Sequence, residues 1–350
     1  MKHSIIAISL LGAVAAPAAA FYSSPVADDL WFPSIELRPG VTADVHVHLF
    51  QNRGRCVGTV FAVHGVAHTA ATWEPFAQAL FAGDVLPIKP CRVAAIDLPG
   101  HGLSGLPSGM LFGELSLYDY SSAIIGVLQE LRERGVRVGI IVGHSMGGLL
   151  VQTVQERLLA QGSSLRAAFG IGGALLLASA LPSAVQVGQP SDIDLTPFIV
   201  EQPALGVFLA VPDAIWPQAY FINTVGALAD GAPSPAEVAA RGYNSFEPIA
   251  ALFEVVDRTA YVRARAFCDK GTHLTLVFNE SDPHQDPVSQ EALFEHLTCR
   301  PSLARMVTMT GPNAVHDAHV AVPKDLLRAL TRWQRRFARA LSANVRATGH

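Results

Sequence analysis

The sequence predicts an α/β protein with a mostly parallel central sheet, helices on both faces and an inserted helical cap. Three observations carry this. Half of the 350 residues are hydrophobic and 15% are charged, which supplies enough apolar side chains for a large buried core. Short apolar runs alternate with helix-like stretches, and strands apolar on both faces belong to a sheet covered on both sides. The alternation stops near Leu181 and resumes after Val262, so an insertion rather than another sheet layer fills the interval. The expected division is a signal peptide over 1–20, a core over 21–180 and 263–350, and a cap over 181–262. A net charge of −4 gives no reason to expect a nucleic-acid partner.

The N-terminus reads as a leader. Lys2 supplies a positive start, Ile5 to Val14 an apolar stretch, and Ala18-Ala19-Ala20 the small residues at which a signal peptidase cuts. The apolar stretch is short for a bilayer, so no stable membrane anchor is expected. The mature chain should begin near Phe21, in a secreted or periplasmic setting. Residues 41–49 alternate, with Val45, Val47 and Leu49 on one face and Asp44, His46 and His48 on the other, which predicts an edge strand with a wet face. His46 and His48 have metal-ligand chemistry but no third ligand nearby in sequence, so a solvated face is the expectation.

An apolar strand from Val57 to Val63 ends in His64-Gly65, and a helix-like stretch covers Trp73 to Phe81. A strand from Arg92 to Ile96 runs into the turn-rich segment Asp97-Leu98-Pro99-Gly100-His101-Gly102-Leu103-Ser104. A helix spans about Tyr118 to Arg134. The strand from Val138 to Val142 then meets Gly143-His144-Ser145-Met146-Gly147, and a helix covers Gly148 to Ala160. Arg166 to Ala178 reads as one further buried strand. Gly170, Gly172 and Gly173 within it lack the third spaced glycine of a dinucleotide fingerprint, so close packing is the reading there. Prolines interrupt the cap region, with Phe198, Phe208, Trp216, Tyr220 and Phe221 between them. Strands at His273 to Phe278 and Ala304 to Met309 flank a helix near Gln290 to Leu297. A last helix from Lys324 to Leu341 puts Leu326, Leu327, Leu330, Trp333 and Phe337 on one face.

Four cysteines lie beyond the leader, with no zinc-type spacing. Cys56, Cys91 and Cys268 each sit just before a predicted strand, and Cys299 a few residues before another. If those strands are neighbours in a parallel sheet, their starting ends lie together, and the pairing is Cys56–Cys91 with Cys268–Cys299.

The chemistry is concentrated in Gly143 to Gly147. This G-x-S-x-G pattern between strand and helix exposes Ser145 on a sharp turn, at a helix start whose free N–H groups favour negative charge. A serine hydroxyl needs a base and a carboxylate that fixes the base's tautomer, in the chain order serine, acid, histidine. Two loops meet that demand. Asn279-Glu280-Ser281-Asp282-Pro283 follows one strand, and Gly311 to Asp317, with His316, follows the next.

Together, His64-Gly65, Asp97 to Ser104 and Gly143-His144-Ser145-Met146-Gly147-Gly148 resemble the α/β-hydrolase fold superfamily, in its cap-bearing, esterase- and lipase-like branch. The resemblance covers Val41 to Leu341 apart from the cap. It implies Asp282 as the acid, with Asn279 in place of the family's glycine and with Asp286 and Glu280 as the other candidates. It implies His316 as the base, seven residues before Pro323, with His319 as the rival. It implies an oxyanion hole made by the backbone N–H groups of Val66 and Met146. His64, His144 and His101 are expected to pack and hydrogen-bond around these loops. Serine at 145 separates the chain from similar haloalkane dehalogenases and epoxide hydrolases, which attack through aspartate. The sequon at Asn279-Glu280-Ser281 is read as chance, because a sugar there would crowd the acid.

The function expected is hydrolysis of carboxylic esters with a hydrophobic acyl or alcohol part, through an acyl-enzyme and without metal or organic cofactor. Lactone or amide hydrolysis, acyl transfer, or ligand binding without turnover are the alternatives, since the triad itself does not choose the leaving group.

Overall fold

The computed structural model describes residues 26–52, 54, 56–66, 68–82, 89–110, 114–182, 185, 261–268, 272–280, 282, 287–299, 303–311 and 316–330. The predicted leader, nearly all of the predicted cap and the last helix beyond Leu330 lie outside them.

Eight strands form one sheet in the order β1-β2-β4-β3-β5-β6-β7-β8. They are β1 (Val26–Arg38), β2 (Val41–Gln51), β3 (Thr59–Val63), β4 (Arg92–Ile96), β5 (Val138–His144), β6 (Gly173–Leu177), β7 (His273–Asn279) and β8 (Ala304–Met309). β2 pairs antiparallel with both β1 and β4, and the rest of the sheet is parallel. The described helices are α1 (Glu74–Ala82), α2 (Leu117–Glu133), α3 (Met146–Ala160), α4 (Leu165–Phe169), α5 (Pro287–Leu297), α6 (Ala318–Ala321) and α7 (Pro323–Ala329).

Alternate residues of each central strand enter two separate cores, as a period of two requires. Phe61, Ala94, Ile96, Ile141 and Leu176 pack with Ile124 and Leu128 of α2, Leu150 and Val154 of α3, and Leu293 of α5. Val60, Ala62, Val93, Ile140, Val142 and Leu175 face the other way, against Phe76 and Leu80 of α1 and Leu326 and Leu327 of α7. Because the central strands are parallel, their carboxyl ends share one edge. Val63 pairs with Ile96 and Gly143, His144 with Leu177, and Asn279 with Met309. Loops from four or more separate parts of the chain therefore meet above that edge, where ligands bind in sheets of this type.

Two expectations change. Residues 41–49 are not an edge strand: β1 covers them, and His46 is buried. β1 escapes the pattern because Pro33 and Ser34 (φ 57°) lie at a register shift between Phe32 and Ile35, so its alternation slips. Arg166 to Ala178 is not one strand but α4, a turn, and β6. Ser164 caps α4 by accepting from the Ala167 N–H at 3.1 Å, and Gly170 ends it at φ 75°.

Cys56 and Cys91 lie at disulfide distance, with Cα atoms 4.6 Å apart, and so do Cys268 and Cys299 at 5.4 Å. Each pair joins the approaches to neighbouring parallel strands, β3 with β4 and β7 with β8. No helix among the described residues is long and apolar enough to cross a membrane.

Candidate active site

β5 ends at His144, α3 begins at Met146, and Ser145 alone joins them with φ 51° and ψ −119°. That conformation is rare for a residue with a side chain and is held by its surroundings. The Ser145 N–H donates to Leu177 O at 2.9 Å, and its carbonyl accepts from Gly148 at 2.9 Å and Ala180 at 3.0 Å. The flanking glycines allow the close approach. A Cβ on Gly143 would stand 2.3 Å from Gly147 O, and one on Gly147 would stand 2.3 Å from Val63 O. From Val138 to Gln155 every residue but Ser145 is buried, so the turn presents that one side chain.

β7 and β8 bring the other two predicted residues together. His316 Nδ1 lies 2.7 Å from Asp282 Oδ2, and both side chains are buried. The turn that carries Asp282 closes without the family's glycine, through a hydrogen bond from Asp282 N–H to Asn279 O at 3.1 Å. Burial opposes charge on His316, but the Asp282 carboxylate, with a smaller contribution from Asp317, raises its pKa above the ordinary 6.5. No hydrogen bond joins His316 to Ser145 among the described residues. Of the other acid candidates, Glu280 is exposed and Asp286 lies outside the described residues.

Met146 opens α3, so its N–H has no intrahelical partner. Val66 follows Gly65, where a Cβ would meet the Ser145 Cβ at 3.1 Å, so the loop after β3 lies against the serine.

The remaining histidines hold these loops in place. His64 donates from Nδ1 to Gly65 O at 2.8 Å and accepts the Leu98 N–H on Nε2 at 3.1 Å, tying the loop after β3 to the one after β4. Burial, with His101 nearby, keeps it well below its usual pKa and neutral. His101 packs on His64 and Tyr120, with ring centroids 4.7 and 5.8 Å away. His144 places Nε2 3.1 Å from the His316 carbonyl and 3.2 Å from Asp317 Oδ1, so it links the elbow to the loop after β8. Burial pushes His319 down to about 3, and its ring packs between His144 and Trp73. A base must accept a proton near neutral pH, so His319 is the weaker candidate.

Sequence reasoning missed His68 and Asp317. Asp317 is fully buried, with Oδ2 3.2 Å from His68 Nε2. Burial alone would raise it, but His68 and His144 hold it well below the carboxylate range. The other nitrogen of His68 donates to Val66 O at 2.5 Å, fastening the loop after β3. Only the position of Asp317 next to His316 hinted at this. Asp97 is a third anchor: it accepts from Ala70 N–H at 2.7 Å, Leu103 N–H at 3.0 Å and His46 Nδ1 at 2.7 Å. These bonds outweigh burial and keep it ionised.

A serine on a strained strand–helix turn, at the carboxyl edge of a parallel sheet with a buried His–Asp pair, defines a hydrolase-type α/β protein. The chain belongs to the alpha/beta hydrolase family, whose model matches residues 60–342. No curated protein sequence matches it. Among solved structures it resembles a bromoperoxidase from Bacillus anthracis (14% identity, TM-score 0.59, 88% of this chain and 100% of that one). It also resembles a Rhodococcus esterase (18%, 0.55, 87% and 98%) and the N-acyl homoserine lactonase AidH (14%, 0.57, 90% and 98%). At such identities the likeness is one of fold.

Proposed function

We propose that this chain is a secreted serine hydrolase that cleaves carboxylic esters with a hydrophobic acyl or alcohol part. The observation that carries the reading is the buried 2.7 Å contact of His316 with Asp282, on the same sheet edge as the strained Ser145. Ser145 Oγ attacks the ester carbonyl while His316 Nε2 takes its proton. Asp282 keeps the Nδ1 hydrogen in place and stabilises the imidazolium. The N–H groups of Val66 and Met146 receive the negative charge that forms on the carbonyl oxygen. His316 returns the proton to the departing alkoxide, and water, deprotonated by the same ring, releases the acid.

The apolar composition of 181–262 supports a hydrophobic substrate, and the two cysteine pairs support an oxidising compartment. The test is hydrolysis of p-nitrophenyl esters of graded acyl length by wild type and Ser145→Ala. The variant should lose at least about 10³-fold in kcat. Equal rates in the two proteins would refute Ser145 as nucleophile. Turnover of lactones or amides but not esters, still dependent on Ser145, would keep the triad and move the substrate class.

A further inference from the structure

We propose that Asp29, His46 and His48 form a binding site for one divalent transition-metal ion, of which zinc is the representative, clamping β1 onto the sheet. His46 and His48 share one face of β2, and Asp29 of β1 is the cross-strand partner of His48. Asp29 Oδ1 lies 3.0 Å from His46 Nε2 and 3.5 Å from His48 Nδ1, and the three atoms all fall within 4.8 Å of one another. Ligands about 2.0–2.1 Å from a tetrahedral zinc stand about 3.3 Å apart, between those two contacts.

The far side of His46 points to the same conclusion. Its Nδ1 meets Asp97 Oδ2 at 2.7 Å, and that carboxylate can only accept, so Nδ1 carries the hydrogen. With that hydrogen on Nδ1, Nε2 faces the Asp29 oxygen at 3.0 Å, where a second proton or a metal ion bridges the two. A carboxylate holding the outer nitrogen of a metal-bound histidine is the usual support for such a ligand. A proton on Nε2 would join His46 to Asp29 alone, whereas a metal ion uses His48 as well. Trp31 lies over His46 (5.1 Å between centroids) and Phe50 against His48 (4.5 Å), which restrains both rings. His46 is 1% exposed, but Asp29 is 53% and His48 26% exposed, so an ion can enter and keep a water as fourth ligand. Through Asp97 the site is joined to Ala70, which follows the loop after β3, and to Leu103, in the loop after β4.

Two nitrogens and one carboxylate suit zinc, nickel or copper rather than calcium or magnesium. The test uses the full chain, stripped with chelator and titrated with zinc by calorimetry, with thermal unfolding alongside. One ion per chain should bind, and the melting temperature should rise by several degrees when zinc is about 100-fold above its Kd. Calcium should do neither. Asp29→Asn and His48→Ala, both at partly exposed positions, should weaken zinc binding at least about tenfold while leaving a folded protein. No saturable binding to wild type, or equal binding by the two variants, would overturn the proposal and leave a proton as the bridge.

Discussion

Asp282→Asn separates the proposed triad from a chance contact. In wild type the carboxylate stabilises the His316 imidazolium across a buried 2.7 Å contact. With about 4 Å between charge centres and an effective dielectric constant near 20, that attraction is about 4 kcal/mol, or roughly a thousandfold in rate. The amide adds a second defect. Its NH₂ donates to Nδ1, so the hydrogen moves to Nε2, where a base should be empty. The expected loss is therefore about 10³–10⁴-fold in kcat on an activated ester, with KM little changed. The pH profile supplies an independent reading. Asp282 raises the His316 pKa above 6.5 against the effect of burial, so the acid limb of kcat/KM should lie above pH 6.5 in wild type and below it in the variant. The same raised pKa means His316 contributes stability that is full below pH 6.5 and lost as pH climbs through the folded value. A loss under tenfold with an unmoved acid limb would show that Asp282 does not serve His316.

Four further substitutions test the scaffold. Gly147→Ala would drive a Cβ to 2.3 Å from Val63 O, so the elbow and β3 must part; a loss of at least about 2 kcal/mol in urea unfolding is expected, and an unchanged midpoint would refute the close approach. Asp97→Asn cannot accept from Ala70, Leu103 and His46 together; leaving one buried donor unpaired should cost about 1–3 kcal/mol, seen as a lower melting temperature. Cys91→Ser and Cys299→Ser each open a loop, of 35 and 31 residues respectively, and should cost about 3–4 kcal/mol apiece in chemical denaturation. Variants as stable as wild type would mean that the pairs do not form.

What could be read from the sequence was what local patterns encode. The elbow is local: five residues between an apolar strand and a helix demand the turn, and Ser145 sits where they place it. The cysteine pairs were legible because parallel neighbours put strand starts side by side, a rule that needs no contact map. β1 was not legible, since the bulge at Pro33 and Ser34 breaks its period, and with it went the partner that makes His46 and His48 more than two polar residues on a strand. Arg166 to Ala178 misled because small apolar residues suit a short helix as well as a strand, and only the Ser164 and Gly170 caps divide them.

The proposed base shows the same limit more sharply. Seven histidines are buried among the described residues, and several ring the carboxyl edge of the sheet. Burial acts on all of them in one direction, toward the neutral ring. His64, His144 and His319 follow it and fall below their usual pKa. His316 is equally enclosed and goes the other way, because a carboxylate from the loop after β7 meets its Nδ1. Which buried histidine is raised is therefore set by a carboxylate partner from elsewhere in the fold, as for His316 and His46, and not by depth or by the histidine's own neighbours in sequence. A sequence shows where histidines are. Which of them meets a carboxylate is decided by the strand order, which delivers Asp282 to His316.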